Sequence, residues 1–467
     1  MPNPDFPAFV RNSPEFSRPA DLTFPLMEKT TEIRLAIVGL GTVGQGVVEL
    51  IGRHREFYAR EFGLAFRFVA AGARLDAELE KVTDAGCLRS KDPLEVASYA
   101  DADVFIELAG GEDMPKPWIE AALKSGKHVV TANKALLAKH GAELFPLAAS
   151  RGRSLMFEAA VGGGIPVIRA LQDSLVGNDI EGLACIINGT CNYILTDMTA
   201  NKGTFEAALA EAQRLGYAEY DPTFDVDGID SVHKVALLAS LAYGKYVDYR
   251  KLHVEGIRNV AALDIQMAGE LGCEVKLLGV VSESKGRIFA AVYPALLEKG
   301  HQLASVHGVL NAVYLKNSAA GPQLLTGAGA GRYPTASAVA ADLVATGRRV
   351  AAERRAGASG TTAPSAMAFF SRDNEAALVP VDELETEFYL RLTTVDKPGV
   401  LSRVTGILGD EGISIRALSQ KPEHDPENVP VIILTHAARN ERVMAALRKI
   451  DSLDVVRAPT RVIRFYR

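Results

Sequence analysis

The stretch Gly216 to Lys234 crowds five carboxylates, Glu219, Asp221, Asp225, Asp227 and Asp230, ahead of an apolar helix that starts near residue 228. A solvated acidic loop accounts for Asp221 and Asp227. It does not account for Asp230 and Lys234, which stand four apart at the helix start and share one face. The helix continues through Val235, Ala236, Leu237, Leu238 and Ala239, hydrophobic nearly all round, and must be buried. A lysine in its first turns needs a carboxylate partner, or its pKa falls. Either state suits a general acid beside a carbonyl oxygen during hydride transfer. His233 points about 100° away around the helix and reads as structural.

A second constellation is Gly39-Leu40-Gly41-Thr42-Val43-Gly44, which follows the β-branched run Ile33 to Val38 and opens an apolar helical face. Strand, glycine turn and helix form the dinucleotide fingerprint in its required context. Gly39 permits the turn, Gly41 lets backbone approach a pyrophosphate, Gly44 lets helix and strand pack, and Thr42 and Val43 open the helix where the phosphate docks. Past the second strand, Arg74 would suit a ribose 2′-phosphate and Asp76 a free 2′-hydroxyl, with the balance toward NADP and NAD left open. The fourth strand ends in Thr131-Ala132-Asn133-Lys134, so Lys134 either points to solvent from a helix start or lies beside the bound cofactor. Two further glycine loops, Glu158 to Pro166 and Asn188 to Asn192, each join a strand to a helix. Either meets a ligand or ion, or is turn chemistry alone.

The elements that must position these residues come in three groups. Strands near 33–38, 66–71, 103–108 and 128–131, with a helix over 115–125, alternate as in a parallel, doubly wound Rossmann-type sheet. A further strand is expected at Ser154–Glu158. Helices near 165–173, 204–215 and 228–244, with strands at 183–187, 275–281 and 288–293, indicate an α+β substrate and dimerisation domain. The order βαββαβ after residue 388 is ferredoxin-like and reads as a separate module. The expected division is a Pro-rich extension at 1–31, a nucleotide domain at 32–158 completed by a helix at 332–355, a substrate domain at 159–331, a linker at 357–381 and a C-terminal module at 382–467.

With 467 residues, 48% hydrophobic and 23% charged, several cores are affordable. The net charge of -6 is spread along the chain, which argues against a nucleic-acid footprint or a polybasic membrane anchor. No uncharged apolar stretch reaches the ~18 residues of a membrane helix. Four scattered cysteines form no CxxC pair, as expected of free thiols in a reducing cytoplasm. The first 25 residues carry six prolines and no signal-peptide core.

Together these residues resemble the homoserine dehydrogenases, specifically the long monofunctional form with a C-terminal ACT domain. The resemblance runs from residue 32 onward and is most specific from Ala212 through Lys234. It is supported by Gly39–Gly44, Glu107–Gly111, His128–Lys134, Glu158–Pro166, Asn188–Asn192 and Gly327–Gly331. The resemblance implies reversible NAD(P)H-dependent reduction of L-aspartate 4-semialdehyde to L-homoserine, on the branch to threonine, methionine and isoleucine. By motif position, Lys234 resembles the proton donor, Lys134 a second active-site lysine near cofactor and substrate, and Asp230 the residue that orients Lys234. Glu219 is similar to the carboxylate that holds the substrate amino group, with Asp225 its acidic neighbour. Gly216 and Gly329 match cofactor-contacting glycines. Glu158, Val161, Gly163 and Ile165 match positions whose backbone carbonyls bind a monovalent cation, usually Na+. Cys191 stands where the family usually has Thr.

Val395 to Leu401 resembles the ACT signature, which implies either a threonine effector or an ACT pair that only dimerises. A homodimer or homotetramer is expected. Two other functions remain in view: another amino-acid aldehyde reductase, and a sensor that binds NADP and an amino acid without turnover. A sensor has no need of the proton donor that the Glu219, Asp225, Asp230 and Lys234 set supplies.

Overall fold

In a computed structural model, residues 30–357, 367, 369–420 and 425–467 are described. The Pro-rich start through residue 29 and residues 358–366 and 368 of the expected linker lie outside them. The first strands are β1 (Thr31–Val38), β2 (Leu64–Gly72), β3 (Leu88–Ser90), β4 (Val104–Glu107), β5 (His128–Thr131) and β6 (Leu155–Met156). They form one parallel sheet in the order β3-β2-β1-β4-β5-β6, the doubly wound order with its crevice at the carboxyl ends of β1 and β4. β4 and β5 are buried along their whole length, as strands covered by helices on both faces must be. The long helix Arg332–Ala356 returns to this sheet, packing on the helix Thr42–Arg53.

The strand expected at Ser154–Glu158 is cut to two residues. The Glu158 amide donates to Asp342 Oδ2 at 2.9 Å instead of to a strand neighbour, and Glu158–Ala160 winds into a 3-10 turn.

The second sheet uses β7 (Ile180–Ile186), β8 (His253–Val254), β9 (Cys273–Ser284), β10 (Arg287–Glu298), β11 (Leu310–Asn317) and β12 (Gln323–Ala328). Helix Ile229–Tyr243 lies against β9 and β10, with every residue from Asp230 to Ser240 buried. After β13 (Ala377–Leu378) and β14 (Glu385–Thr386), the C-terminal module contributes β15 (Phe388–Thr394), β16 (Ile415–Gln420), β17 (Val429–Thr435), β18 (Ala438–Arg439) and β19 (Val456–Tyr466). Its order β19-β15-β17-β16 is the ferredoxin-like one.

Two expectations change here. The C-terminal module has its own core but is not detached from the body: β19 pairs in parallel with β10, Ala295 opposite Arg464, so one sheet runs through both. With β13 and β8, which pair further back along β10, it covers that strand's edge. The described part of the expected linker also packs into the body, with Phe370 1% exposed against Phe145 and β13 paired to β10. Among the described residues no helix is long and apolar enough to cross a membrane.

Asp264 joins module to body. It is 1% exposed and accepts from Tyr389 Oη at 2.9 Å, Arg391 Nε at 2.6 Å and Ala261 N at 2.9 Å. Asp264→Ala strands a guanidinium and a phenol and removes a helix cap. We expect a loss of ~3–5 kcal/mol, read as a lower midpoint of thermal unfolding; an unchanged midpoint would show that the contact contributes nothing.

Candidate active site

Helix Ile229–Tyr243 begins at Gly228, whose φ of 83° turns the chain sharply into it. Asp230 and Lys234 then lie one turn apart, and Lys234 Nζ donates to Asp230 Oδ2 at 2.7 Å and to the Ile187 carbonyl at 2.9 Å. From the nucleotide domain, Lys134 Nζ reaches Asp230 Oδ1 at 3.1 Å. Lys134 opens the helix Lys134–Ser150, and the Asn133 side chain caps that helix by accepting from Leu136 N. Its amino group therefore turns onto Asp230 rather than outward. One carboxylate, 4% exposed, carries an ammonium on each oxygen.

Asn188 completes the group. It caps the helix Gly189–Asn201 with its Oδ1, while its Nδ2 donates to Asp225 Oδ1 at 2.7 Å and Asp230 Oδ2 at 2.9 Å. The amide holds two carboxylates side by side. Cys191 Sγ donates to the Asp225 carbonyl at 3.2 Å, a contact the hydroxyl of the usual Thr could also make. Burial pushes the Asp230 carboxyl up, but the charges of Lys234 and Lys134 outweigh it and hold it far below the ordinary aspartate range. Burial pulls Lys234 below the ordinary lysine value against the opposing charge of Asp230. Burial raises Asp225, only partly offset by the bond from Asn188.

The other acids of the crowded stretch go elsewhere. Asp221 accepts from the Thr223 amide, and Asp227 pairs with Arg258. Glu219 and Gly216 are exposed on the loop before the helix, which Thr190 ties down through the Tyr217 carbonyl at 2.6 Å. The Glu219 side chain is thus not gathered into the buried cluster.

The cofactor turn follows β1. A Cβ on Gly39 would lie 2.4 Å from the Leu108 carbonyl carbon, and one on Gly44 2.0 Å from the Gly39 oxygen, while Gly41 faces open space. That leaves room for a phosphate against the backbone at Thr42 and Val43, where the helix begins. Glu107, fully buried at the end of β4, accepts from the amides of Ala109 and Gly110 and from Thr131 Oγ1 at 2.6 Å, so it fixes the ends of β4 and β5 together. Arg74 is exposed beyond β2; Asp76 is engaged by Lys91 at 3.0 Å.

The Glu158–Ile165 loop backs onto Gly329, where a Cβ on Gly163 would lie 2.4 Å from the Gly329 oxygen. The Glu158 carboxylate accepts from the amides of Ile168 and Arg169, while the Glu158 and Ile165 carbonyls accept from the amides of Val161 and Val167 at 3.4 and 2.8 Å. Asn188, Glu107, Thr131 and Asp342 were not singled out for these contacts in the sequence. The available signal was an acid ending an apolar strand run for Glu107 and an acid among the small apolar residues of an Ala-rich helix for Asp342.

A glycine turn at the switch point of a doubly wound sheet, in a chain whose nucleotide domain also sends a lysine onto the buried aspartate of Lys234, defines a nicotinamide-dependent oxidoreductase. The homoserine dehydrogenase NAD-binding domain model matches residues 39–158, the homoserine dehydrogenase domain model 166–344 and the ACT model 388–452. The chain belongs to the homoserine dehydrogenase family. It is 39% identical over 433 residues to the homoserine dehydrogenase of Neisseria gonorrhoeae, covering 92% of this chain and 98% of that one. With the enzyme of Bacillus subtilis it shares 36% over 429 residues, 91% of this chain and 96% of the other. A homoserine dehydrogenase crystal structure from Thiobacillus denitrificans matches with a TM-score of 0.86 at 40% identity, over 94% of this chain and 99% of that one. A hyperthermophilic archaeal homoserine dehydrogenase in complex with NADPH matches with a TM-score of 0.57 at 27% identity, over 68% of this chain and 98% of the other.

Because the folded state holds Asp230 as an anion, its stabilisation is full above the unfolded aspartate pKa of about 3.9 and is lost as pH falls below it. Asp230→Asn should cost ~3–5 kcal/mol at pH 7 by leaving Lys234 buried without its counter-charge. The gap in unfolding midpoint between variant and wild type should narrow below about pH 4; a gap independent of pH would contradict the ion pairing.

Proposed function

We infer that this homoserine dehydrogenase reduces L-aspartate 4-semialdehyde to L-homoserine, reversibly, with Lys234 as proton donor to the aldehyde oxygen. The observation that carries the assignment is Lys234 buried on Asp230 at 2.7 Å, at the edge of the cofactor domain through Lys134. The nicotinamide, when bound, supplies the hydride. Asp230 keeps the proton on Lys234 until the oxygen gains charge, and Lys134 lies between cofactor and substrate. Asp225 is assigned to the substrate ammonium; Glu219, assigned with it by motif position, lies on the exposed loop outside the buried cluster.

The cofactor turn comprises Gly39, Gly41, Thr42, Val43 and Gly44, with Gly216 and Gly329 as further contacts. NADP is favoured because Arg74 is exposed beyond β2 while Asp76 is already engaged by Lys91. The carbonyls of Glu158, Val161, Gly163 and Ile165 are assigned to Na+, since hard cations take oxygen ligands and this loop offers backbone oxygens. At the C-terminal module, a cavity of about 180 Å³ lined by Val395, Lys397, Gly399, Leu401 and Gln420 has the size of a small amino acid, which supports threonine as effector.

Lys234→Ala should lose at least ~10²-fold in kcat with little change in cofactor KM; near-normal turnover removes Lys234 from the role. For wild type, reduction should fail at alkaline pH as Lys234 loses its proton, with an inflection below the ordinary lysine value. Arg74→Ala should raise the KM for NADPH and leave that for NADH unchanged; equal effects on both would show that Arg74 does not read the 2′-phosphate.

A further inference from the structure

Arg464, on β19, is 1% exposed. Its Nη1 donates to Glu255 Oε2 at 2.9 Å, Nε and Nη2 donate to Asn440 Oδ1 at 3.1 and 2.9 Å, and the guanidinium lies 5.1 Å from the Tyr293 ring centroid. The other Glu255 oxygen meets His253 Nε2 at 2.7 Å. Burial pushes the Glu255 carboxyl up, but the bond from His253 and the charge of Arg464 bring it down to about 2, so the pair is ionised at any working pH.

The neighbours of Glu255 seat the turn that starts the lysine helix. Val254 packs under Gly228, where a Cβ would lie 3.0 Å from Val254 Cγ1. A Cβ on Gly256 would lie 2.1 Å from the Val226 oxygen and 2.4 Å from Asp227 Cα. The Ile257 amide donates to the Val226 carbonyl at 2.8 Å, and Arg258 donates to Asp227 Oδ1 and Thr223 Oγ1. Val226 adjoins Asp225, and Gly228 stands two residues before Asp230. The Glu255 amide also donates to the Val292 carbonyl at 2.8 Å, so a displacement of this segment is passed to the turn that packs on it, because packed interiors transmit strain.

We propose that Arg464 is a positioning residue for the dehydrogenase reaction: through Glu255 it sets the seat of the 223–230 turn, so the C-terminal module and the active site share one structural element. This rests on Asp225 and Asp230 serving the substrate site.

The test uses Arg464→Gln and Glu255→Gln in the full chain, singly and together, with steady-state reduction of aspartate semialdehyde. Each single variant should lower kcat/KM for the aldehyde at least ~tenfold while KM for the nicotinamide cofactor stays within about twofold, and the double variant should be no worse than the poorer single one. Arg391→Gln breaks another ion pair between module and body, the one to Asp264. It should lower the unfolding midpoint yet leave the kinetic constants within about twofold of wild type. If Arg464→Gln behaves like Arg391→Gln, or the two glutamine substitutions add, the proposal is overturned. Should Arg464→Gln not fold, the near-isosteric Glu255→Gln decides by the same criteria. An inactive wild type overturns the catalytic reading as well; normal kinetics in variants of an active wild type overturn only the link.

Discussion

Asp230 is the anion on which the site depends. Buried beneath two ammonium groups, it is the only carboxylate that touches both Lys134 of the nucleotide domain and Lys234 of the substrate domain among the described residues. A buried charge persists only when it is paired and hydrogen-bonded. That requirement explains the surroundings: Asn188 gives it a third donor, the Ile187 carbonyl takes a second proton of Lys234, and Gly228 turns the chain so that Asp230 enters the first turn of its helix. The two domains share this charge, beside the packing of helix Ile229–Tyr243 on helix Lys134–Ser150, so the ionisation of Lys234 is tied to a residue of each.

Much of this was legible in the sequence because it rests on local periodicity. β4 and β5 are buried on both faces and read as short apolar runs; helix Ile229–Tyr243 is hydrophobic all round and starts at a glycine. The i, i+4 spacing put Asp230 against Lys234 before any contact was known. What stayed hidden depended on distant partners. Five acids look alike between Glu219 and Asp230, and the difference is made by Asn188, which draws in Asp225 and Asp230, and by Arg258, which draws Asp227 out. The strand at Ser154–Glu158 is shortened by Asp342, 184 residues further along. The direction of Lys134 is set by a carboxylate from another domain. No pattern within ten residues encodes any of these.

The continuity of the second sheet belongs to the same class. Each half has its own strand pattern, and the pairing of β19 with β10 adds only three residue pairs. Yet it brings a buried arginine of the module against a half-buried glutamate of the body, and unlike a surface pair such a contact cannot lose its glutamate without stranding the arginine's charge. Any effector bound in the module can act at a distance only by favouring one of two arrangements of such an element. A packed, charged contact that also seats the catalytic turn has the stiffness this requires.

In the proposed reaction the charges are arranged for a zwitterionic substrate. Lys134, Lys234, Asp225 and Asp230 together sum to zero when all are ionised, so the empty cluster carries no net charge into a buried place. Asp225 is the least settled member, since burial favours its neutral form. An incoming ammonium acts in the opposite sense to burial, so binding the cation and holding Asp225 ionised favour one another. Lys234 is poised in the opposite sense. Burial loosens its proton, Asp230 retains it, and only an oxygen that has begun to take up hydride is basic enough to pull the proton away. In that reaction the same aspartate that pairs with a lysine of each domain also times the proton transfer.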